Sequence, residues 1–203
     1  MEKEMSNHLK LSFHPAMPHH WADLEALFGV SGADAGCWCM FWRQTNAQAA
    51  NLTPEQNKAL LKGQIDSGIS PGLLAYAGDR AVGWCGVSPR ASFTRLEHTR
   101  HFQNPTTDTP TWTIVCLFVD KQARKQGVAA GLLNAAVKYA LENGAQAIEA
   151  YPINSQGKSL PAKAAFPGTV EMFLAAGFKE IVVTGAKSRS GGFFRSIVRY
   201  DAP

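Results

Sequence analysis

Basic and small residues come together in residues 120–129, between an apolar stretch and a helical pattern. Arg124, Gly127 and Ala129 fall there at the spacing Arg-x-x-Gly-x-Ala. The start of a helix presents free N–H groups and a partial positive charge, and a turn without bulky side chains lets phosphate oxygens reach that backbone. Arg124 and Lys125 add positive charge. The segment is therefore predicted to bind a phosphorylated ligand.

Two common nucleotide-binding motifs are absent from this segment. The Lys and Ser/Thr of a P-loop, which hold a nucleotide γ-phosphate and magnesium, do not follow Gly127. The GxGxxG fingerprint of a dinucleotide-binding fold is also missing. A diphosphate that is bound without metal chemistry fits the pattern better.

The flanking residues predict the elements that position this turn. Residues 111–119 are β-branched, aromatic and too apolar to leave a solvent face, as expected of a central strand that is buried on both sides. From Val128 to Leu141 apolar residues recur with the period of a helix, and Gly144 stands where a C-terminal cap belongs. The predicted order is therefore a buried strand, a basic turn and an amphipathic helix.

This strand, turn and helix resemble the coenzyme A motif of the GNAT N-acetyltransferase superfamily, in which Arg/Gln-x-x-Gly-x-Gly/Ala opens a helix after a central strand. A hairpin upstream, a strand at residues 146–151 and a short helix that ends in Ala176-Gly177-Phe178 follow the same order as in that family. The resemblance covers residues 73–200. It implies an α/β fold with one mixed, mostly antiparallel sheet of about six to seven strands, flanked by about four helices.

The resemblance also implies acetyl-CoA as a cosubstrate. The N–H of Leu117 would face the thioester carbonyl and that of Val119 the pantetheine arm, because the central strand diverges from its neighbour there. An ordinary hydrogen bond within the sheet is the alternative for both amides. The residues expected to bind the cosubstrate are Leu117, Phe118, Val119, Arg124, Lys125, Gln126, Gly127, Val128 and Ala129.

Proton transfer departs from the pattern of the family. Many relatives place a Glu at the position of Thr113 and a Tyr at the position of Phe173. Glu149 and Tyr151 share one face of the next predicted strand, so Glu149 is predicted to accept the amine proton, directly or through water, and Tyr151 to protonate the departing thiolate. The alternative for Glu149 is a solvated strand carboxylate.

The four cysteines, Cys37, Cys39, Cys85 and Cys116, lack the paired CxxC spacing of a structural zinc site. We expect reduced, mostly buried thiols and no bound metal. A covalent acetyl carrier at Cys116 is disfavoured, because no nearby His in the sequence would activate it. Residues 37–42 are too aromatic to be left in water, and the resemblance implies that this region helps to form the acceptor pocket.

The remaining elements are predicted from periodicity and caps. They are strands at 9–13, 181–184 and 193–200, a hairpin around Gly78-Asp79, and helices at 20–28, from Pro54 to Asp66, at 93–98 and at 169–176. Residues 153–167 form a long connection that carries Ile153, Leu160 and Phe166. We predict that these three side chains fold back over the gap between the central strands and form part of the acceptor pocket.

Composition and charge restrict the classes of function that the chain can have. The chain has 203 residues, a formal net charge of +4, 45% hydrophobic and 18% charged residues, which predicts one globular domain over residues 1–203. Its mild and scattered positive charge argues against nucleic-acid binding, and no apolar run is long enough for a membrane span. Residues 1–8 have no apolar signal core, so a flexible extension and a cytoplasmic location are predicted.

The predicted function is direct transfer of an acetyl group from acetyl-CoA to a primary amine of a small molecule or a protein. Two alternatives stay open. One is a non-catalytic acyl-CoA-binding or sensor domain of the same fold, since two usual catalytic positions are replaced. The other is a metal-binding module that uses the cysteines. A homodimer is compatible with the sequence.

Overall fold

The computed structural model describes residues 9–103, 109–160, 165–188 and 192–203. Within them, the strands are β1 (Leu11–Pro15), β2 (Gly72–Ala77), β3 (Arg80–Pro89), β4 (Thr111–Val119), β5 (Ala147–Ala150), β6 (Lys179–Lys187) and β7 (Phe194–Asp201). The helices are α1 (Trp21–Phe28), α2 (Asn46–Asn51), α3 (Pro54–Asp66), α4 (Thr94–Glu97), α5 (Val128–Glu142) and α6 (Val170–Ala175). The predicted extension, residues 1–8, lies outside the described residues.

One sheet of seven strands runs through the molecule in the order β1-β2-β3-β4-β5-β7-β6. Only β4 and β5 are parallel, and every other neighbouring pair is antiparallel. The predicted mixed, mostly antiparallel sheet and α/β fold are therefore confirmed. No helix in the described parts of the chain is long and apolar enough to cross a membrane.

The described residues form six α-helices, where the resemblance implied about four, and only α2 had no counterpart among the helices predicted from the sequence. This helix is short and largely polar, so it lacks the apolar stripe by which the other helices can be recognised. Its start is nevertheless well formed, since Thr45 accepts a hydrogen bond from the N–H of Gln48. The predicted cap of α3 is confirmed, with the Thr53 hydroxyl accepting from the N–H of Gln56.

The central strand β4 carries an irregularity at its middle. Cys116 pairs with Gly86 on β3, but Ile114 pairs with the very next β3 residue, so Val115 is the extra residue of a β-bulge. Pairing of β4 with β5 ends at the same place, with Ile114 opposite Ala150. The second half of β4 therefore has β3 on one side and no strand on the other. The predicted divergence of the central strands is present.

Each face of the sheet carries its own core. Helix α5 packs Leu132, Leu133 and Ala136 against one face, together with Ile114 and Leu117. We call this the α5 face. The opposite face is covered by α1, α3 and residues 90–102, and its buried side chains form two clusters around Trp84 and Phe93. Because side chains alternate along a strand, each functional residue of β4 and β5 is assigned to one of these faces.

Candidate active site

The predicted phosphate-binding turn lies at the open end of β4. After β4 the chain forms a short 3₁₀ turn, Lys121–Ala123, and then enters α5 with Gly127 as the N-cap residue. Gly127 has φ 80°, a left-handed conformation that glycine adopts without steric cost. The Arg124 guanidinium donates through Nε to the carbonyl of Val119 at 3.2 Å, which ties the turn to the end of the strand.

The surface of this turn is free to meet a ligand. The four residues from Arg124 to Gly127 are exposed, and a Cβ atom added to Gly127 would meet no atom within 4 Å. Val128 is only 2% exposed and anchors the first turn of α5 in the core. First-turn amides of a helix have no acceptor within the helix, so they are available to phosphate oxygens. These residues fit a diphosphate group.

The strand amide that was expected to face the thioester has a partner from another segment. The N–H of Leu117 donates to the carbonyl of Phe166 at 2.7 Å. The ring of Phe166 also stacks on the ring of Phe118, with centroids 6.1 Å apart and an interplanar angle of 5°. Phe166, in the connection after β5, therefore occupies part of the gap beside β4.

Of the three apolar residues predicted to lie over this gap, Phe166 does so, and Ile153 is buried elsewhere in the core. Ile153 is fully buried and bridges to Thr169 and Arg195, and Phe166 lies on Phe118. Leu160 is half-buried. Residues 161–164 lie outside the described part of the chain.

Glu149 lies in a polar row that crosses the sheet on the face opposite α5. Its paired neighbours are Thr113 on β4 and Arg199 on β7, and Thr113 pairs in turn with Ser88 on β3. Glu149 is 1% exposed, so the interpretation as a solvated strand carboxylate is wrong. The reason is register, because β7 inserts between β5 and β6 and makes β5 an interior strand.

Two guanidinium groups hold this buried carboxylate. Arg199 approaches Oε1 at 3.3 Å and Arg90 approaches Oε2 at 3.5 Å. Arg90 also binds Glu97 at 2.6 Å and donates to the carbonyl of Phe102 at 2.8 Å. The carboxylate thus links the sheet to residues 90–102 that cover it. An amine would have to displace one of these groups to reach either oxygen.

Tyr151 is close to Glu149, as predicted, but it is also enclosed. Its hydroxyl donates to Oε2 of Glu149 at 3.1 Å, and its ring packs against Phe102. Burial, together with the charge of Glu149, raises the pKa of Tyr151 far above its usual range. A hydroxyl with so high a pKa is a weak proton donor. The predicted role of Tyr151 as the acid that protonates the thiolate has to overcome this.

The sequence offered no signal for Arg90 as a partner of Glu149, because the two residues meet only through tertiary packing. Arg199 could not be predicted as a partner either, because its position beside Glu149 depends on the register of β7. At the two positions where relatives carry proton-transfer residues, Thr113 and Phe173 are both fully buried. The Thr113 hydroxyl has no hydrogen-bond partner in the described structure.

The four cysteines are free thiols. Among the described residues, no group of three or more His, Cys, Asp or Glu side chains could hold a metal ion. Cys39 and Cys116 come together on the face opposite α5, which their separation in the chain did not reveal.

Comparison with known proteins identifies similar families and structures. The model of the acetyltransferase (GNAT) family matches residues 33–162. Three similar solved structures are the ribosomal-protein-alanine N-acetyltransferase from Brucella melitensis (16% identity, 94% of this chain and 99% of that chain covered, TM-score 0.55), the GNAT-family acetyltransferase from Streptococcus pneumoniae (15%, 96% and 100%, 0.56) and yncA from Salmonella typhimurium with its cofactor acetyl-CoA (11%, 94% and 93%, 0.55).

At these identities the solved structures share the fold, and no curated protein sequence matches the chain. The family match spans well over half of the residues and includes β4, the turn at Gly127 and α5. The chain therefore belongs to the acetyltransferase (GNAT) family.

Proposed function

We propose that the protein transfers an acetyl group from acetyl-CoA directly to a primary amine of a small molecule or a protein. The observation that carries this proposal is the open, positively charged turn at Gly127. This turn follows the half of β4 that no longer pairs with β5. Acetyl-CoA supplies an acetyl group activated as a thioester. The chain supplies a phosphate site, a line of strand amides and a face for the acceptor.

Two groups of residues are proposed to hold acetyl-CoA. Arg124, Lys125, Gln126, Gly127, Val128 and Ala129 would bind the phosphates. Leu117, Phe118 and Val119 would receive the pantetheine arm and the thioester. This division is supported by the turn's exposure and charge and by the missing strand beside β4. The predicted cytoplasmic location and the possible homodimer stay predictions.

Calorimetry with acetyl-CoA, followed by coenzyme A release with a panel of primary amines, tests the proposal. Binding together with amine-dependent release is expected. A folded protein that does not bind acetyl-CoA would contradict the proposal. Binding without release to any amine would favour the non-catalytic acyl-CoA-binding alternative, which is supported by the Phe166 carbonyl on the Leu117 amide.

Phe166→Ala is expected to tighten acetyl-CoA binding by about two- to tenfold. The Phe166 ring holds its own carbonyl on the Leu117 N–H by stacking on Phe118, and an aromatic pair contributes about 0.5–1.5 kcal/mol. Without the ring, a larger fraction of molecules has this amide free, so less binding energy is lost in opening the site. Calorimetry on wild type and variant measures the change.

Two controls belong to this experiment. Leu160→Ala changes a half-buried residue of the same connection and should leave the affinity for acetyl-CoA unaltered. Adenosine 3′,5′-diphosphate has phosphates but no pantetheine arm, so its affinity should be the same in wild type and Phe166→Ala. Weaker acetyl-CoA binding by Phe166→Ala would mean that the ring contacts the ligand and does not exclude it.

A further inference from the structure

The guanidinium of Arg195 is held at the place where β4 and β5 separate. Its Nε donates to the carbonyl of Tyr151 at 2.8 Å, and its Nη2 donates to the same oxygen. Tyr151 directly follows Ala150, which is the last residue of β5 and the last to pair with β4. Two hydrogen bonds to one backbone oxygen fix the position of the guanidinium at this point of the sheet.

Two aromatic rings contact the same guanidinium. Its central carbon, Cζ, lies 5.4 Å from the centroid of the Trp42 ring and 5.4 Å from the centroid of the Phe102 ring. The two rings also contact each other edge to face, with centroids 5.7 Å apart. Cation–π contacts stabilise a positive charge that has lost part of its hydration. The rings and the Tyr151 carbonyl therefore hold Arg195 in one orientation.

The positive charge of Arg195 has no carboxylate beside it in the described parts of the chain. Within them, the Tyr151 carbonyl is the only polar group that its guanidinium contacts. By contrast, Arg90 and Arg199 on the same face each bind Glu149 and one exposed carboxylate. Burial lowers the pKa of Arg195 to about 10, so the group still carries its charge at neutral pH. The edge that carries Nη1 is available to an anion.

Arg195 lies on the same side of the sheet as the half-buried side chains of β4. Side chains alternate along β7, and Ile197, two residues after Arg195, belongs to a buried cluster on the face opposite α5. Trp42 and Cys116 both pack against that cluster. Cys116 directly precedes Leu117, whose amide is proposed to face the thioester. One cluster therefore connects the Arg195 guanidinium with the opened half of β4.

An acceptor would reach the thioester across this side of the sheet. On the other face, Leu117 is packed in the core that α5 covers. On this face, Cys116 and Phe118 project from the opened half of β4, and Phe166 stacks on Phe118. These three side chains and Trp42 are all half-buried. They present a partly open apolar surface that ends at the charge of Arg195.

The register of the sheet sets the spacing between that charge and the thioester. β4 and β5 are parallel, and Ile114 is opposite Ala150. Tyr151 is one residue further along β5, so its carbonyl lies about two residues, or about 7 Å, before Leu117 along the strand direction. A molecule whose amine reacts at Leu117 and whose anion binds Arg195 therefore has several bonds between the two groups.

We propose that Arg195 determines the acceptor class by binding a carboxylate of the substrate, so that the protein acetylates small primary amines that carry a carboxylate several bonds away. The free edge of the guanidinium donates to this carboxylate, a geometry that arginine is suited to. Trp42 and Phe102 keep the guanidinium in place. The inference rests on the proposed acetyl transfer and adds to it which amines are accepted.

The first measurement compares two acceptors that differ in charge at one end only. Coenzyme A release from acetyl-CoA is followed with 6-aminohexanoate and with 6-aminohexanamide. Wild type should have a kcat/KM that is about 10–10²-fold higher for the acid, the size of hydrogen bonds to a charged group. The preference should shrink with β-alanine and its amide, because that chain is too short to reach both sites. Equal kcat/KM values for 6-aminohexanoate and its amide in wild type would overturn the inference, even if a variant fails to fold.

The second measurement assigns the preference to one guanidinium. Arg195→Gln should raise the KM for 6-aminohexanoate by about 10–10²-fold, while the KM for the amide and the Kd for acetyl-CoA stay near those of wild type. Arg195→Lys keeps the charge without the planar fork and should retain part of the preference. An unchanged preference in folded Arg195→Gln protein would show that the carboxylate binds elsewhere.

Lys187→Gln is the matched control for general positive charge. Lys187 is exposed, belongs to the same hairpin of β6 and β7, and lies over the Phe194 ring at 5.3 Å. Its removal should leave the preference for the acid as in wild type. An equal loss of preference in Lys187→Gln and Arg195→Gln would assign the effect to the net charge of the hairpin and would contradict a site at Arg195.

The third measurement separates this inference from the proposed function. N-acetyl-6-aminohexanoate has the carboxylate and no reactive amine, so calorimetry in the presence of coenzyme A requires no turnover. Wild type should bind it more tightly than N-acetyl-6-aminohexanamide, and Arg195→Gln should bind both equally. That result without coenzyme A release from any amine would contradict the proposed function and support the carboxylate site. Release from amines without any difference between acid and amide would overturn the site at Arg195 alone.

Discussion

Gly127→Glu is expected to weaken acetyl-CoA binding by about 10²-fold or more, while the protein stays folded. A Cβ atom fits at this position without contact, so the side chain itself creates no clash. Its carboxylate, however, would stand at the positive end of α5, where the diphosphate is proposed to bind. Two like charges about 5 Å apart repel by about 3 kcal/mol at a protein surface. Calorimetry with acetyl-CoA measures the loss.

Gly144→Glu is the matched control, because Gly144 lies beyond the other end of the same helix. It also has a left-handed conformation, with φ 86°, and open space at its Cβ position. Both variants therefore pay a similar backbone cost of about 1–2 kcal/mol, visible as a similar fall in Tm. Only Gly127→Glu should lose acetyl-CoA. A folded Gly127→Glu protein with wild-type affinity would mean that the phosphates bind elsewhere.

Glu149→Gln is expected to destabilise the protein by about 3 kcal/mol or more. The carboxylate is 1% exposed and holds Arg90 and Arg199, and removing one partner of a buried ion pair leaves uncompensated charge, at a cost of about 3–5 kcal/mol. The amide keeps the size of the side chain, so the loss reports charge and hydrogen bonding. Denaturant unfolding measures the free energy of unfolding.

Glu97→Gln distinguishes this effect from a general loss of contact with Arg90. Glu97 binds the same guanidinium at 2.6 Å, but its side chain is 57% exposed, so its removal should cost less than about 1 kcal/mol. The predicted base role of Glu149 makes a different demand. It requires kcat to fall by about 10²-fold near neutral pH in protein that is still folded. That result would support Glu149 as the proton acceptor.

The sequence by itself determined the elements whose signals are local. The strand β4, the turn at Gly127 and the helix α5 follow from apolar runs, helical period and a glycine at a helix start, all within a short stretch of chain. The cap of α3 is equally local, since Thr53 and Gln56 bind each other's backbone. These features, with the order of elements, were enough to indicate the family and the phosphate-binding turn.

Local sequence signals could not predict short or polar elements. They also could not predict contacts between residues of distant segments. Helix α2 has no apolar stripe to reveal it. Glu149 was placed on the correct face of β5, but its burial depends on β7 pairing beside that strand and on residues 90–102 covering it. Sequence alternation assigns the face of a residue; it does not say which strand or loop lies against that face.

The contacts around β4 also depend on tertiary structure, because they join distant segments of the chain. The Phe166 carbonyl on the Leu117 N–H and the meeting of Cys39 with Cys116 both join segments that are far apart in the chain. The β-bulge at Val115 and the small size of Gly86 bring these groups together. Hydrogen bonding within a helix or turn depends on neighbours a few residues away, whereas register, bulges and close approach depend on how the whole core is buried.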